Sequence, residues 1–580
     1  MDKLDTATAL VGVVSGLEDP ATGWHQIDWR QAEREVRRLR GRIFAASQAG
    51  DLPRVRRLQR LMLRSRSNAL VSVRRVTERN AGRLTAGVDG EVVVSPEAKL
   101  ALADRIARGL DLSAVLPVRR VYIPKPGGKS RPLGIPAILD RAHQARIAAA
   151  LEPEWEAKFE PKSYGFRPGR GCHDAIQAIY QVIKGPNPSR LWVLDADLAG
   201  AFDRISHDHI LSQIGGFPEK GMIAAWLRAG VVENGQTHRT EEGTPQGGVV
   251  SPVLLNIALH GMEVAAGGGR PDGRAIPGRP VVIRYADDFV ALCPTRQDAL
   301  EVKAQLATWL EPRGLAFNEA KTRVVHLREG FDFLGFNVRR YGRRPLIRPS
   351  KTAIRRIRER LRDELRRLRG SNAATVIKRL NPIIRGWAAY YRTQVSAKVF
   401  GDLDHYLWQL TYKWATFSHS NKPTSWVIAR YFAKFNTVRN DRWVFGDRQS
   451  GAYLHRFAWT NIVRHQIVTG RSSPDDPALT DYWAARRHKI PLPVNRTHQW
   501  LYRAQDGRCH TCHGTLAVIT DRPQTPTDWE RWLVADRIAI TMITVPTAGA
   551  TGTAEPRLIH TDCLNHSHQH LRTPMPSKPA

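Results

Sequence analysis

The chain has 580 residues and carries 88 Lys and Arg against 55 Asp and Glu, a net charge of +33. Roughly 150 residues per domain gives room for three to five domains, and such a charge points a chain toward a polyanion, because neutralised phosphates release counterions. With 42% apolar residues, five cysteines, a mean hydropathy of −0.38 and no apolar run near the ~18 residues of a spanning helix, the composition excludes a disordered chain, a disulfide scaffold and a membrane protein. Met1 to Asp5 offers no basic stretch, and Thr6 to Val14 is too weakly apolar for a secretory signal; the expected compartment is a reducing cytoplasm.

Residues 29 to 47 predict a basic amphipathic helix, with Ala32, Val36, Leu39 and Ile43 on one stripe. Residues 54 to 79 continue in the same style around Leu58, Leu61, Val71 and Val76, before a turn-rich break from Asn80 to Gly90. From Val118 to about Arg340 short β-branched runs alternate with helical stretches, which predicts an α+β domain of about 220 residues. Its candidate strands are Val121–Ile123, Trp192–Leu194, Val281–Ile283 and Val324–Leu327.

Two of these strands carry acids. Asp287 and Asp288 stand between apolar β-branched segments, which predicts a hairpin with carboxylates at its tip. Like charges beside a core are costly unless a cation neutralises them. Asp195 and Asp197 follow the apolar Trp192–Leu194 run. Carboxylates from separate strands are what two-ion phosphoryl transfer needs, and Mg²⁺ takes most of its other ligands from water and substrate phosphate.

Residues 351 to 370 predict one long helix with Ile354, Ile357, Leu361, Leu365 and Leu368 inward and eight arginines elsewhere, a surface suited to phosphate. Residues 380 to 447 are aromatic and basic together; a helical bundle accounts for most of the rings, and one or two could stack on bases. Pro474 to Pro477 reads as a linker, and the tail from about Arg508 is weakly periodic.

In order along the chain, these motifs resemble the blocks of group II intron-encoded reverse transcriptases and maturases. Val121-Tyr122-Ile123-Pro124-Lys125 and Arg131 to Pro136 are similar to the first block. Ser163-Tyr164-Gly165-Phe166-Arg167-Pro168 is similar to the second, Asp197 with Phe202 to the third, and Gly243 to Gly248 with Ser251-Pro252 to the fourth. Tyr285-Ala286-Asp287-Asp288 resembles the fifth, Gly314-Leu315 with Asn318 and Lys321-Thr322 the sixth, and Phe333-Leu334-Gly335 the seventh. Gly87 to Gly90 resembles the N-terminal extension, and Leu380 to Trp387 the maturase domain called X.

The resemblance implies an α+β right-hand polymerase and divides the chain at 1–80 (basic helical extension), 81–340 (fingers and palm), 341–447 (helical thumb and domain X), 448–505 (basic DNA-binding segment) and 506–580 (a small zinc-type domain). It implies an RNA-directed DNA polymerase that assists intron splicing and moves by target-primed reverse transcription. Its partners would be group II intron RNA, target DNA and dNTPs, with no membrane. Asp197, Asp287 and Asp288 would hold two Mg²⁺ ions, with Asp195 behind them or exposed. Lys125, Arg131, Phe202, Gln246, Gly247 and Lys321 would form the nucleotide pocket, with Phe202 excluding a 2′-hydroxyl. Arg355, Arg356, Arg362, Arg366 and Arg385 would contact RNA. One departure is Ala199, where the family usually has Lys two residues after the metal-binding Asp.

Many relatives end in an HNH endonuclease. Here Cys509-His510-Thr511-Cys512 and His560-Thr561-Asp562-Cys563 have the spacing of a tetrahedral Zn²⁺ site formed by Cys509, Cys512, His560 and Cys563. The central His pair is missing, and Trp532 to Ile538 stands in its place, which predicts a zinc-stabilised or partly folded remnant without nuclease activity. The sequence leaves two other readings open: a splicing-only maturase, and a domesticated reverse transcriptase in host defence or repair. Oligomeric state is not legible.

Overall fold

The computed structural model describes residues 23–124, 130–269, 274–489, 496–511, 516, 523–546, 554–561 and 563–564. It begins with the expected basic helix, Trp29–Gln48, capped by the Asp28 carboxylate, which accepts from Gln31 N at 2.9 Å. The single helical stretch expected over 54 to 79 is broken. Leu52–Arg64 and Arg66–Arg74 are separate helices, and Arg75–Arg79 is a wider π turn. Ser65 makes the break: its backbone is extended, and its hydroxyl accepts from Asn68 N as the cap of the second helix.

These helices pack on Ile138–Glu156, a central helix buried nearly all round although many of its residues are polar. Its charges are spent on other segments' polar groups. Arg141 donates to the carbonyls of Gly82 and Thr85, Arg146 donates to Leu63 O, and Asp140 accepts from Trp226 Nε1.

The first sheet is built on β1 (Val118–Pro124), antiparallel to β2 (Ser130–Ile135). β3 (Trp192–Asp197) belongs to a second sheet. β4 (Val231–Glu233) returns to the first, parallel to β1, and β5 (Gln236–His238) completes the order β2-β1-β4-β5. The second sheet adds β6 (Val281–Tyr285), β7 (Asp288–Cys293) and β8 (Arg323–His326) in the order β6-β7-β3-β8, antiparallel throughout. Its alternating residues feed two cores. Leu194, Val282, Phe289 and Ala291 face the palm helices; Val193, Ile283, Val290 and Leu292 face the other way. A three-stranded sheet of β9 (Phe331–Phe333), β10 (Phe336–Tyr341) and β11 (Arg344–Pro349) joins that second core to the thumb.

The thumb is four helices: Lys351–Arg367, Ala373–Tyr391, Ala397–Ser418 and Thr424–Tyr431. Ile357, Leu361 and Leu365 face inward as the spacing predicts. Most of the aromatics are core, with Trp387, Tyr390, Tyr391, Trp414 and Tyr431 buried; Trp426 and Trp443 are exposed.

Downstream the sequence expectation changes. Pro474 to Pro477 is not a slack linker. Asp475 is buried and takes two 2.7 Å hydrogen bonds from Arg40, which also reaches Glu152. The strap before it is fastened by Asp404, which accepts from Phe457 N and Ala458 N, and by Asp174, which binds His465 and Val468 N. The weakly periodic tail carries a helix at Pro526–Ala539 and a hairpin of Ile540–Pro546 with Ala554–His560. None of the described helices is long and apolar enough to cross a membrane.

Candidate active site

The predicted hairpin forms, with Tyr285 directly opposite Asp288 and Ala286-Asp287 as its turn. Asp288 also lies directly opposite Asp197 on β3. Paired residues on antiparallel strands point their side chains to one face, about 5 Å apart at Cβ. Asp197, Asp288 and Tyr285 therefore share a face, and Asp287 stands at its end.

The electrostatics are those of a cluster only partly compensated by cations. Burial holds the Asp288 carboxyl well above its ordinary range, and the charges of Asp287 and Asp197 add to the shift. Asp287 is raised too, by burial first and then by Asp197, while Arg131 and Lys321 pull it back. Arg131 thus acts on Asp287 from β2, where it is exposed opposite Ile123. Lys321 is closer still: its ammonium donates to Asp197 Oδ2 at 2.6 Å, beside Asn318 Nδ2 at 3.2 Å. Asp195 is set apart and bonded to Arg323 at 3.0 Å.

The rest of the expected pocket is partly assembled. Phe202 is half-buried, with its ring 6.2 Å from that of Phe166, which is exposed. Gln246 donates to Asp203 at 3.3 Å. Its carbonyl accepts from Gly134 N at 2.7 Å, so the turn holding Gln246 and Gly247 is tied to β2. Lys125 lies outside the described residues.

A bracket behind the acids was not legible as a function in the sequence. Arg284 is 3% exposed within β6. Its Nη1 donates to Ala286 O at 3.1 Å and to Asn256 Oδ1 at 2.9 Å, and Asn256 Nδ2 donates to Gly165 O at 2.9 Å. The turn it grips is unusual, because Ala286 has φ +58°, a region that disfavours a residue with a Cβ. Gly165 presses on the same turn; a Cβ there would lie 2.3 Å from Ala286 N. Arg167 locks the Gly165 loop by a two-pronged pair with buried Glu156 at 2.8 and 2.9 Å. The available signal was one arginine inside an otherwise apolar strand, which must be paired if buried.

On the thumb, Arg355, Arg356 and Arg366 are exposed and Arg362 is half-buried beside Asp363. Arg385 is half-buried, and its charge helps burial push His455 down to about 3. In the C-terminal region Cys509, His560 and Cys563 offer ligand atoms within 4.8 Å of one another; Cys512 lies outside the described residues. Two sulfurs and an imidazole nitrogen are a donor set that suits zinc.

Known proteins match the chain in three stretches. The family described as "N-terminal domain of reverse transcriptase" matches residues 24–106, "Reverse transcriptase (RNA-dependent DNA polymerase)" matches 123–338, and "Group II intron, maturase-specific domain" matches 354–432. Protein YkfC of Escherichia coli is 35% identical over 316 residues, which are 49% of this chain and 82% of that protein. Group II intron-encoded protein LtrA of Lactococcus lactis is 29% identical over 284 residues, 38% of this chain and 47% of LtrA, so the match spans about half of that relative. Among solved structures, telomerase from Candida albicans aligns with a TM-score of 0.30 and 14% identity over 55% of this chain and 65% of that one. With a reverse transcriptase domain, its N-terminal companion and a maturase-specific domain in that order, the chain belongs to the family of group II intron-encoded reverse transcriptases and maturases.

Proposed function

We propose that this chain is an RNA-directed DNA polymerase of the two-ion type that also binds group II intron RNA and assists its splicing and mobility. The observation that carries the reading is the carboxylate cluster: Asp197 and Asp288 directly paired, Asp287 beside them, and two of the three held above their ordinary range by burial and mutual repulsion. Such a site is built to be neutralised by divalent cations. Two Mg²⁺ ions bound there would activate the primer 3′-hydroxyl and steady the leaving pyrophosphate.

The chain's own residues do the rest. Arg131 acts on the Asp287 carboxyl from β2, and a guanidinium there would suit the phosphate oxygens of a triphosphate. Lys321 holds Asp197 in place and screens its charge. Phe202 walls the sugar side, and the Arg284 bracket fixes the turn that presents Asp287. The thumb arginines and the exposed Trp426 and Trp443 are the surface for intron RNA, read by phosphate contact and stacking. Extension of a DNA primer on an RNA template, with Mg²⁺ and dNTPs, tests the reading. No extension by a folded, RNA-binding chain sinks it and leaves a splicing-only maturase.

Phe202→Val is expected to relax sugar selection. Discrimination between dNTP and rNTP, read as a ratio of kcat/KM, should fall by about ten- to a hundredfold, the scale of a steric pocket term. An unchanged ratio would place the sugar elsewhere.

The C-terminal region is read as a zinc-stabilised remnant without nuclease activity. Trp532 is buried inside a helix where the central His pair would stand. Purified chain is expected to hold one zinc, and Co²⁺ exchanged into it should show tetrahedral thiolate bands that Cys509→Ser abolishes. DNA cleavage by the purified protein, lost on mutating His560, would refute the remnant reading.

A further inference from the structure

One flank of the basic thumb helix Lys351–Arg367 holds an open cleft of about 440 Å³, closed on its far side by Tyr406 of the helix Ala397–Ser418. Small-molecule sites run to about 300–1,000 Å³, so the cleft has room for one nucleotide and none for a duplex. Lys351, Arg355, Arg358 and Arg362 recur at spacings of four, three and four, form one stripe and line it. Glu359 lines it too, one turn from Arg355 and one turn from Arg362.

The ion pairs of this helix belong to other groups. Arg360 holds Glu530, Arg362 leans on Asp363, and Glu364 takes Arg367 and Arg379. Among the described residues Lys351, Arg355, Arg358 and Glu359 enter no ion pair, and all four are exposed. Tyr406 is held in place by its hydroxyl, which donates to Arg358 O at 3.4 Å, and the Arg358 guanidinium lies 5.1 Å from its ring centre. Ile354, expected to turn inward with Ile357, is only half-buried and adds an apolar lining to the cleft.

We propose that this cleft binds one unpaired guanosine of the bound RNA, with the base against Tyr406 and Ile354, a flanking phosphate on Lys351 and Arg355, and the base edge on Glu359. The inference rests on the reading of the thumb as an RNA surface and deepens it by naming the nucleotide.

Each part of the cleft answers to one part of that ligand. An aromatic ring and a guanidinium are both surfaces on which a splayed-out base stacks. Cations free of acid partners are those that a phosphate can claim without first breaking a pair. Glu359 selects the base. A phosphate surface gains nothing from a carboxylate in its midst, but a carboxylate accepts two hydrogen bonds side by side. Guanine offers two adjacent donors, N1–H and the N2 amino group. Adenine and cytosine set an acceptor nitrogen beside their amino group, and uracil flanks its single N–H with two carbonyls, so each would turn a lone pair toward Glu359.

The test is equilibrium binding of the full chain to short oligoribonucleotides that differ only in one central nucleotide. The guanosine form is expected to bind at least about fivefold more tightly than the adenosine, cytidine and uridine forms, the low end of what one bidentate base contact discriminates. Glu359→Gln is expected to abolish that preference. Arg355→Ala should weaken all four forms alike and lower the salt slope by about 1. Equal binding of the four by the wild type, or a guanosine preference that survives Glu359→Gln, overturns the proposal and leaves the RNA surface standing. Binding of none of the four would sink the RNA-surface reading as well. Guanosine monophosphate is the second arm. It is expected to displace the guanosine oligonucleotide only in large excess; displacement at matching concentration would give the cleft to a free nucleotide and overturn its assignment to RNA.

Discussion

Asp287→Asn is expected to lower the rate of primer extension by at least about 10³-fold, a barrier increase of about 4 kcal/mol, with binding of structured RNA unchanged. The substitution keeps the side-chain volume at the turn and removes one of three negative charges. Asp287 has no pairing role to lose: it stands in the turn between paired Tyr285 and Asp288. Ion binding should suffer most, because the other two acids are differently employed. Asp197 already shares its oxygen with Lys321 and Asn318, and Asp288 is held toward its neutral form by burial. The RNA surface on the thumb helix Lys351–Arg367 belongs to another element, so its phosphate contacts should be untouched. Single-turnover extension beside a filter-binding measurement separates the two. A loss of less than tenfold would mean that Asp197 and Asp288 suffice and that the role given to Asp287 is wrong.

What the sequence reveals of this fold divides along physical lines. The acids were legible because two carboxylates among Val, Ile and Phe are costly without a purpose, and the structure brings Asp197, Asp287 and Asp288 together. The thumb helix was legible because its apolar residues recur at helical spacing, and Ile357, Leu361 and Leu365 are inside. The helix Ile138–Glu156 was not, because a helix buried on every side has no stripe to detect. Its Asp140, Arg141 and Arg146 look solvated in sequence and are in fact satisfied by distant partners. The strap through Asp475 escaped notice for a related reason. Proline-rich sequence reads as a linker, and only the fold shows that Arg40, 435 positions earlier, is waiting for the carboxylate. Long-range pairing of single polar groups leaves no local period. The Arg284 bracket is the same case at the site itself.

That bracket supplies the second large effect. Arg284→Met is expected to lower stability by about 3–5 kcal/mol, because removing one partner of a buried charge cluster strands the others. The guanidinium is 3% exposed, so solvent screening does not soften the loss. Burial pulls its own pKa down to about 10, opposed by the charges of Glu160 and Glu263. The stranded groups are those two acids, and Glu263 is already pushed up to about 7 by burial, with Lys162 and Arg284 among the charges opposing the rise. The pH dependence follows from that sign. A carboxyl raised in the folded chain contributes stability in its protonated form, fully present below the unfolded value near 4.5 and lost as pH rises through the folded value. Losing Arg284 raises the folded value further, so the variant's deficit should be larger at pH 8 than at pH 5.5. Activity should fall as well, and for a separate reason: the Ala286 carbonyl loses its tether, and a turn at φ +58° relaxes once nothing holds it. Asn256→Ala keeps the charge and the Ala286 tether but loses both the link to Gly165 and the hydrogen bond that Arg284 donates to Asn256 Oδ1, so its cost should be about 2 kcal/mol. Thermal unfolding of both variants at the two pH values, followed by extension rates below the transition, measures each term. A deficit for Arg284→Met that does not change with pH would show that Glu160 and Glu263 do not depend on it, and the bracket would then be one of shape alone.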